Sequence, residues 1–166
     1  MIKLNKATNQ NHFIIIETLA NTIWREHYPS IITIAQIDYM LEKFNSINAI
    51  EAQVSEGVNF YYMTFNETPV GYMAIKKETD FLFLSKLYVL KNYRGKGVGT
   101  VTTQFIMDEA AKGKLKSIQL KVNKYNLNSI AAYQKMGYKK VKSMVTDIGE
   151  GFIMDDYLLE KKISPQ

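Results

Sequence analysis

The chain has 166 residues, of which 46% are apolar and 22% charged, and these values suit one soluble domain covering residues 1–166. Cysteine is absent, which excludes disulfides, thiol nucleophiles and cysteine-ligated metals, and the two histidines give no basis for a metal site. Neither a signal-peptide pattern nor an apolar run of membrane-spanning length occurs, so we expect a cytoplasmic protein with no membrane partner.

The net charge of +5 is unevenly distributed. Residues 91–142 contain twelve Lys or Arg and two acidic residues, a balance of +10, which leaves −5 for the rest of the chain. A basic segment of this kind is typical of binding to a phosphorylated ligand or to nucleic acid, or of a solvated lysine-rich surface. No recognisable nucleic-acid-binding motif accompanies it, and we expect no nucleic-acid partner.

Hydrophobic periodicity predicts mostly helix in the first third of the chain and mostly strand in the middle. The predicted elements are a strand at 2–6, helices at Phe13–Trp24 and Ile34–Phe44, an ambiguous stretch at 45–57, and strands at Asn59–Phe65, Val70–Lys76 and Phe81–Val89.

Helices and strands alternate in the remainder. The predicted elements there are a helix that carries Val98, Val101 and Phe105 and ends near Gly113, a strand around Ile118–Val122, a helix at Asn128–Met136, and strands at Tyr138–Val145 and Phe152–Leu159. This order predicts an α+β fold built around one mixed sheet.

A glycine-rich turn lies between the strand that ends at Val89 and the following helix. Gly95, Gly97 and Gly99 expose consecutive backbone N–H groups with no side chains in the way. The start of the helix adds unpaired N–H groups and the positive end of its dipole, a combination that holds a phosphate or pyrophosphate. The spacing matches neither the P-loop nor the dinucleotide-binding fingerprint.

Two motifs together resemble the GCN5-related N-acetyltransferase superfamily. The first is the pattern Arg94-x-x-Gly97-x-Gly99 directly after a strand. The second runs from Asn126 through a short helix with Tyr133 to Gly137-Tyr138, and one helix and one strand separate the two. The resemblance covers most of the chain, and it is weakly closest to the bacterial polyamine acetyltransferases.

The resemblance implies a mixed, mostly antiparallel sheet that is splayed at its central strands and flanked by about four helices. It also implies acetyl-CoA as co-substrate. The pantetheine arm would lie along Leu87, Tyr88 and Val89 like an added strand, and the Val89 N–H would stabilise the thioester oxyanion. The residues expected at the pyrophosphate are Arg94, Gly95, Lys96, Gly97, Val98, Gly99 and Thr100.

The second motif implies two further roles. Tyr133 would face the CoA sulfur and protonate the leaving thiolate, although a tyrosine on an apolar helix face is also ordinary core packing. Asn126 would contact the pantetheine, or it would only cap the helix that follows.

The acceptor side is less defined. Many members of the superfamily carry a glutamate on the central strand as general base, whereas here that strand has Lys86 and no carboxylate. The base is therefore unassigned, with Glu26, His27, Asp155 and Asp156 as candidates, and water as the alternative for an amine that arrives neutral. Trp24, Glu26, His27 and Tyr28 are the predicted acceptor-binding residues, and the aromatic ones are equally compatible with a core.

These features predict an N-acetyltransferase that transfers an acetyl group to a polyamine, another small amine or a peptide amine. Attack would be direct, in a ternary complex, because the chain has no cysteine to carry an acyl group. The alternative is a non-catalytic CoA-sensing domain with the same fold, which fits the missing carboxylate. A homodimer remains open.

Overall fold

Seven strands form one sheet in the computed structural model, which describes residues 1–163. The strands are β1 (Ile2–Lys6), β2 (Asn59–Phe65), β3 (Thr68–Lys77), β4 (Phe81–Val89), β5 (Ser117–Asn123), β6 (Lys139–Gly149) and β7 (Phe152–Lys162). Their order is β1-β2-β3-β4-β5-β7-β6. Within this described range β4 and β5 are the one parallel pair. The predicted mixed, mostly antiparallel sheet is confirmed.

Five α-helices flank the sheet in the described part of the chain. They are α1 (Gln10–His27), α2 (Ile34–Asn45), α3 (Ile47–Ser55), α4 (Val98–Lys112) and α5 (Leu127–Lys135), and short 3-10 turns occupy Tyr28–Ser30 and Lys91–Tyr93. Over residues 1–163, no helix combines the length and apolar character that crossing a membrane requires.

The helix that periodicity did not resolve is α3, in the ambiguous stretch 45–57. Only Ser46 separates it from α2. The Ser46 side chain caps the new helix by accepting a hydrogen bond from the Ala49 N–H at 3.2 Å. Helix α1 is also longer than predicted. Asn9 caps its first turn by accepting from the His12 N–H at 3.0 Å, and the helix continues to His27.

The core lies on both faces of the sheet. Helices α1 to α3 cover one face, where Ile16, Ile23 and Tyr72 are fully buried. Helices α4 and α5 cover the other face, where Met73 and Ile118 of the sheet and Ile106 of α4 belong to one buried cluster. We call these the α1 face and the α4 face.

The two central strands diverge halfway along their length. Parallel pairing between β4 and β5 runs from Phe81/Ser117 to Leu84/Leu120 and then stops, while β4 continues to Val89 and β5 to Asn123. Ser85 is bulged at this point, because Ala74 pairs with Lys86 and Ile75 pairs with Leu84. The result is a V-shaped gap between β4 and β5 that opens toward the carboxyl ends of both strands.

Candidate active site

One wall of the gap is the backbone of β4. The Leu90 N–H donates to the Val70 carbonyl of β3 at 2.8 Å. Because successive residues of a strand direct their backbone groups to opposite sides, the N–H and C=O groups of Leu87 and Val89 face the gap. Those of Tyr88 face β3, so Tyr88 contributes its side chain rather than its backbone to this region.

Gly71 on β3 is a site residue that the sequence analysis missed. It pairs with Val89, and a Cβ at this position would lie 2.5 Å from the Tyr88 carbonyl oxygen and 3.3 Å from the Val89 Cα. No other residue lets β3 approach the end of β4 so closely. A glycine inside an otherwise apolar strand is the sequence pattern that could have identified it.

The glycine-rich turn lies at the open end of the gap. Gly95 and Gly97 have φ values of +76° and +92°, which favour glycine. Gly97 is the N-cap of α4 and has no side chain to cap it, and the first intrahelical bond runs from the Val101 N–H to the Gly97 carbonyl at 3.1 Å. The N–H groups of Val98, Gly99 and Thr100 are therefore directed out of the helix end and able to bind an anion.

Gly99 supports a bound group at this turn. It has no left-handed φ, and a Cβ built on it meets no protein atom within 4 Å. Neither the backbone conformation nor packing within the protein therefore requires glycine here. An open helix N-terminus bordered by Lys96 and Arg94 fits a pyrophosphate, whose oxygens need close access to backbone N–H groups.

Two cations flank this turn. Arg94 donates from Nε to the Val89 carbonyl at 3.3 Å and thereby folds back over the end of β4. The Lys96 ammonium lies 5.2 Å from the ring centre of Tyr93 and 5.9 Å from that of Phe65. These contacts leave positive charge beside the free N–H groups of α4.

Asn126 and His27 are 99 positions apart in the sequence and in contact in the folded chain. His27 Nε2 lies 3.1 Å from Asn126 Oδ1. The Asn126 side chain makes no cap bond to α5, although its backbone carbonyl accepts from the Ile130 N–H. The buried Asn126 amide is thus held in place by His27. Burial first, and then the charge of Arg94, lower the pKa of His27, so it is neutral at pH 7.

Tyr133 lies on α5, packed on the α4 face and half-buried. Its ring stands edge-on to that of Tyr138, with 5.4 Å between the ring centres. Burial, followed by the neighbouring Tyr138 and Tyr28, raises the pKa of Tyr133, so its hydroxyl keeps its proton at neutral pH.

The aromatic residues predicted for acceptor binding divide into two groups. Trp24 is buried in the core and its indole N–H donates to the Tyr72 hydroxyl at 3.0 Å. Tyr72 in turn donates to Asn45 Oδ1 at 3.0 Å. Tyr28 is nearer the gap, because its hydroxyl lies 3.1 Å from that of Tyr88 on β4.

The charged side chains considered for the acceptor side differ in their exposure and in their contacts. Glu26 is exposed, and its carboxylate accepts from the Lys91 N–H at 3.4 Å, beside the glycine-rich turn. Lys86 points to α3, where it donates to Gln53 Oε1 at 2.7 Å and lies 5.3 Å from the Phe60 ring centre. Burial lowers the pKa of Lys86 to about 8. Asp155 pairs with Lys124 at 2.7 Å, whereas Asp156 is buried.

The comparisons with known proteins agree with this geometry. Residues 16–138 match the model of the acetyltransferase (GNAT) family. An uncharacterized N-acetyltransferase of Schizosaccharomyces pombe is 34% identical over 74 residues, which are 42% of this chain and 51% of that protein. The match therefore spans about half the length of this curated relative.

Two solved structures are similar over nearly their whole length. The PaiA N-acetyltransferase of Thermoplasma acidophilum, solved in complex with coenzyme A, has a TM-score of 0.80 at 19% identity and covers 98% of this chain and 99% of its own. The ribosomal-protein-S18-alanine N-acetyltransferase of Escherichia coli has a TM-score of 0.74 at 14% identity, covering 100% and 96%. These likenesses show the fold. With the family match over residues 16–138, they establish that the chain belongs to the acetyltransferase (GNAT) family.

Proposed function

We propose that the protein transfers an acetyl group from acetyl-CoA to a primary amine by direct attack in a ternary complex. The observation that carries this proposal is the gap between β4 and β5, with the backbone groups of Leu87 and the Val89 N–H along one wall and the glycine-rich turn at its open end. The Val89 carbonyl accepts from Arg94 Nε. An extended pantetheine arm can pair with the free edge of β4 as a further strand would.

The donor would be held largely by backbone groups. The N–H groups of Val98, Gly99 and Thr100 bind the pyrophosphate, and Arg94 and Lys96 supply positive charge. Asn126, fixed by His27, presents its amide to the pantetheine. The PaiA structure is a coenzyme A complex, and its likeness to this chain over 98% of its length supports the same use of the gap here.

The reaction needs three contributions from the protein. The amine attacks the thioester carbon, and the Val89 N–H stabilises the charge that develops on the carbonyl oxygen. Tyr133 donates its proton to the departing thiolate, for which its raised pKa keeps the proton available at neutral pH. Positioning donor and acceptor in one gap supplies the remainder of the rate enhancement.

The acceptor is proposed to be a polyamine, another small amine or a peptide amine in the cytoplasm. The −5 balance outside residues 91–142 favours a cationic acceptor. Tyr28 and Tyr88 would line its approach from the α1 face.

Thiol release tests the proposal directly. Acetyl-CoA is incubated with the protein and a panel of polyamines, amino acids, aminoglycosides and peptides, and acetylated products are identified by mass spectrometry. We expect amine-dependent thiol release and a rise in melting temperature with acetyl-CoA. Absence of any thermal shift with acetyl-CoA would contradict the donor assignment.

A non-catalytic CoA-sensing domain is the alternative. The observation that favours it is the composition of β4, which carries no carboxylate and whose Lys86 points to α3. This alternative predicts a thermal shift with CoA and no thiol release with any amine.

A further inference from the structure

We propose that Asp156 binds the acceptor as its ammonium ion and receives the proton that the amine must lose before attack. The inference rests on the proposed function and supplies the general base that β4 lacks. It starts from a buried carboxylate oxygen that has no partner on the protein.

Asp156 is 4% exposed, and among residues 1–163 its Oδ2 has no hydrogen-bond partner. An ionised carboxylate in this state is costly, so a buried carboxylate normally has a cation or an N–H group beside it. Over the same residues, Asp155 Oδ1 also lacks an aligned hydrogen bond, but the Lys124 ammonium lies 2.7 Å from it and neutralises its charge. The unpartnered oxygen of Asp156 is an acceptor to which an ammonium group could donate a hydrogen bond.

The sheet places Asp156 next to the end of β5. Its register partner on β5 is Asn123, three residues beyond Leu120, where pairing with β4 ends. Its partner on the other side is Met144 of β6. Asp156 therefore lies on β7 beside the last residue of β5, and β5 stands between it and the gap.

The alternation along β7 places Asp156 on the α1 face, opposite to the face that carries Tyr133. Tyr157 and Leu159 pack on the α4 face, so Asp156 and Met154 point the other way. Tyr28 and Tyr88, whose hydroxyl groups lie 3.1 Å apart, pack on the same face. The charge of Asp156 contributes to the raised pKa of Tyr28. An amine that enters from the α1 face would meet Asp156 before it reaches the thioester.

The environment of Asp156 suits a side chain that accepts a proton near neutral pH. Burial raises its pKa from 3.8 to about 6, Lys121 and Lys124 at the β5 side oppose that shift, and Asp155 adds to it. Tyr28 faces it from the 3-10 turn after α1. The carboxylate is thus ionised at pH 7 and loses its charge below about pH 6.

The proton balance is complete without another reactant. The ammonium ion gives one proton to Asp156, and the neutral amine forms the C–N bond while the C–S bond breaks. The thiolate takes the Tyr133 proton, and the second amine proton restores Tyr133 through solvent. Asp156 then releases its proton to water, so the products are the amide, CoA thiol and one proton.

The test compares two acceptors in two variants. Asp156→Asn should lower kcat/KM about 100-fold at pH 7.5 for the best alkylamine found in the panel. It should lower kcat/KM less than tenfold for the fluorinated analogue of that amine, whose weakly basic nitrogen is already neutral. Asp155→Asn, the matched control on the adjacent carboxylate, should change either value less than threefold. Equal losses for both amines, or no loss for either, would overturn the inference.

Two further measurements separate this inference from the proposed function. Spermidine binding to the CoA-loaded protein, followed by calorimetry, should weaken about tenfold in Asp156→Asn even if turnover is absent, and unchanged affinity would count against the inference. The acidic limb near pH 6 in the wild-type profile of kcat/KM should vanish in this variant. A wild-type protein that binds spermidine through Asp156 but never releases thiol would sink the proposed function alone.

Discussion

The proposed donor side and the proposed acceptor side of the gap are built in different ways. The proposed donor side consists mainly of backbone groups from one continuous stretch, residues 87–100, with glycines at set positions. The proposed acceptor side consists of side chains from distant elements, namely His27 at the end of α1, Tyr28 in the following turn, Tyr88 on β4 and Asp156 on β7. Asn126 joins the two sides, because it belongs to the donor motif and is held by His27 at 3.1 Å.

This difference explains how each side can vary. Backbone N–H groups bind a pyrophosphate whatever side chains surround them, so the donor side needs little beyond the turn geometry. The acceptor side depends on individual carboxyl and hydroxyl groups, and a single substitution there can change which amine binds. Donor-side variants should therefore alter acetyl-CoA binding equally for every amine, whereas acceptor-side variants should have effects that depend on the amine.

The largest expected effect is that of Tyr133→Phe. Loss of the hydroxyl removes the proton donor for the thiolate, so kcat should fall about 10²–10³-fold for every amine. The affinity for CoA, measured by calorimetry, should stay within about twofold. Tyr138→Phe is the matched control, because this buried ring stands 5.4 Å from Tyr133, and it should retain at least a third of the wild-type kcat. A comparable loss of kcat in both variants would show that Tyr133 acts through packing and not through proton transfer.

The second effect is that of Asp156→Asn on the free energy of unfolding. The pKa of Asp156 is raised from 3.8 to about 6, so the folded state holds more protons than the unfolded state between these values. The contribution of Asp156 to the free energy of unfolding therefore decreases as pH rises from about 4 to 6, and it is fully unfavourable above pH 6.

Asp156→Asn removes this cost and should be more stable than wild type by about 2 kcal/mol at pH 7.5. The two proteins should be nearly equal at pH 4. Urea unfolding at both pH values, without amine present, measures the difference. A variant that is less stable at pH 7.5 would mean that Asp156 has a partner on the protein, and the acceptor side would lose its anchor.

The third effect tests the donor side. Gly99→Val should raise the KM for acetyl-CoA about tenfold, since the new side chain occupies the space above the helix end where no protein atom lies within 4 Å of a built Cβ. The melting temperature should not fall, because φ at this position suits any residue. Gln104→Ala, further along α4, is the control. If the KM for acetyl-CoA in Gly99→Val rose with one amine and not with another, the proposed separation of the donor and acceptor sides would be wrong.

The smallest effect is that of His27→Ala. Without His27 the Asn126 amide loses its fixed orientation, so both the acetyl-CoA KM and the amine KM should rise about threefold, a loss typical of one neutral hydrogen bond. His27→Gln keeps a donor for Asn126 and should restore most of the affinity. Because burial and Arg94 lower the pKa of His27, the effect should be constant from pH 7 to 9. Steady-state kinetics over this range would detect a pH-dependent loss, which would contradict a neutral His27.

The turn and helix start of the proposed donor side were predictable because their determinants are local. The spacing of Gly95, Gly97 and Gly99 after a strand implies a turn and a helix N-terminus, and the structure has both. The sheet and most helices also followed from periodicity. Helix α3 did not, since its start depends on the Ser46 cap directly after α2 rather than on an apolar pattern.

The acceptor side was not predictable to the same extent, because its residues meet only in the folded chain. Four candidate bases were indistinguishable in sequence, and the structure separates them by contacts. Glu26 is exposed beside Lys91, and His27 is bonded to Asn126. Within the part of the chain that the structure describes, Asp155 Oδ1 and Asp156 Oδ2 are both buried without an aligned hydrogen bond, but Asp155 has Lys124 as an ion-pair partner at 2.7 Å. Gly71 was missed because its role depends on the distance between β3 and β4.

The proposal that this gap holds acetyl-CoA and transfers its acetyl group to an amine is tested by thiol release. Release from acetyl-CoA is measured for the wild-type protein and for Tyr133→Phe over the full amine panel, with the acetylated product confirmed by mass. We expect amine-dependent release by wild type and a loss of about 10²–10³-fold in the variant. CoA binding without thiol release above background for any amine would contradict it and would favour the CoA-sensing alternative.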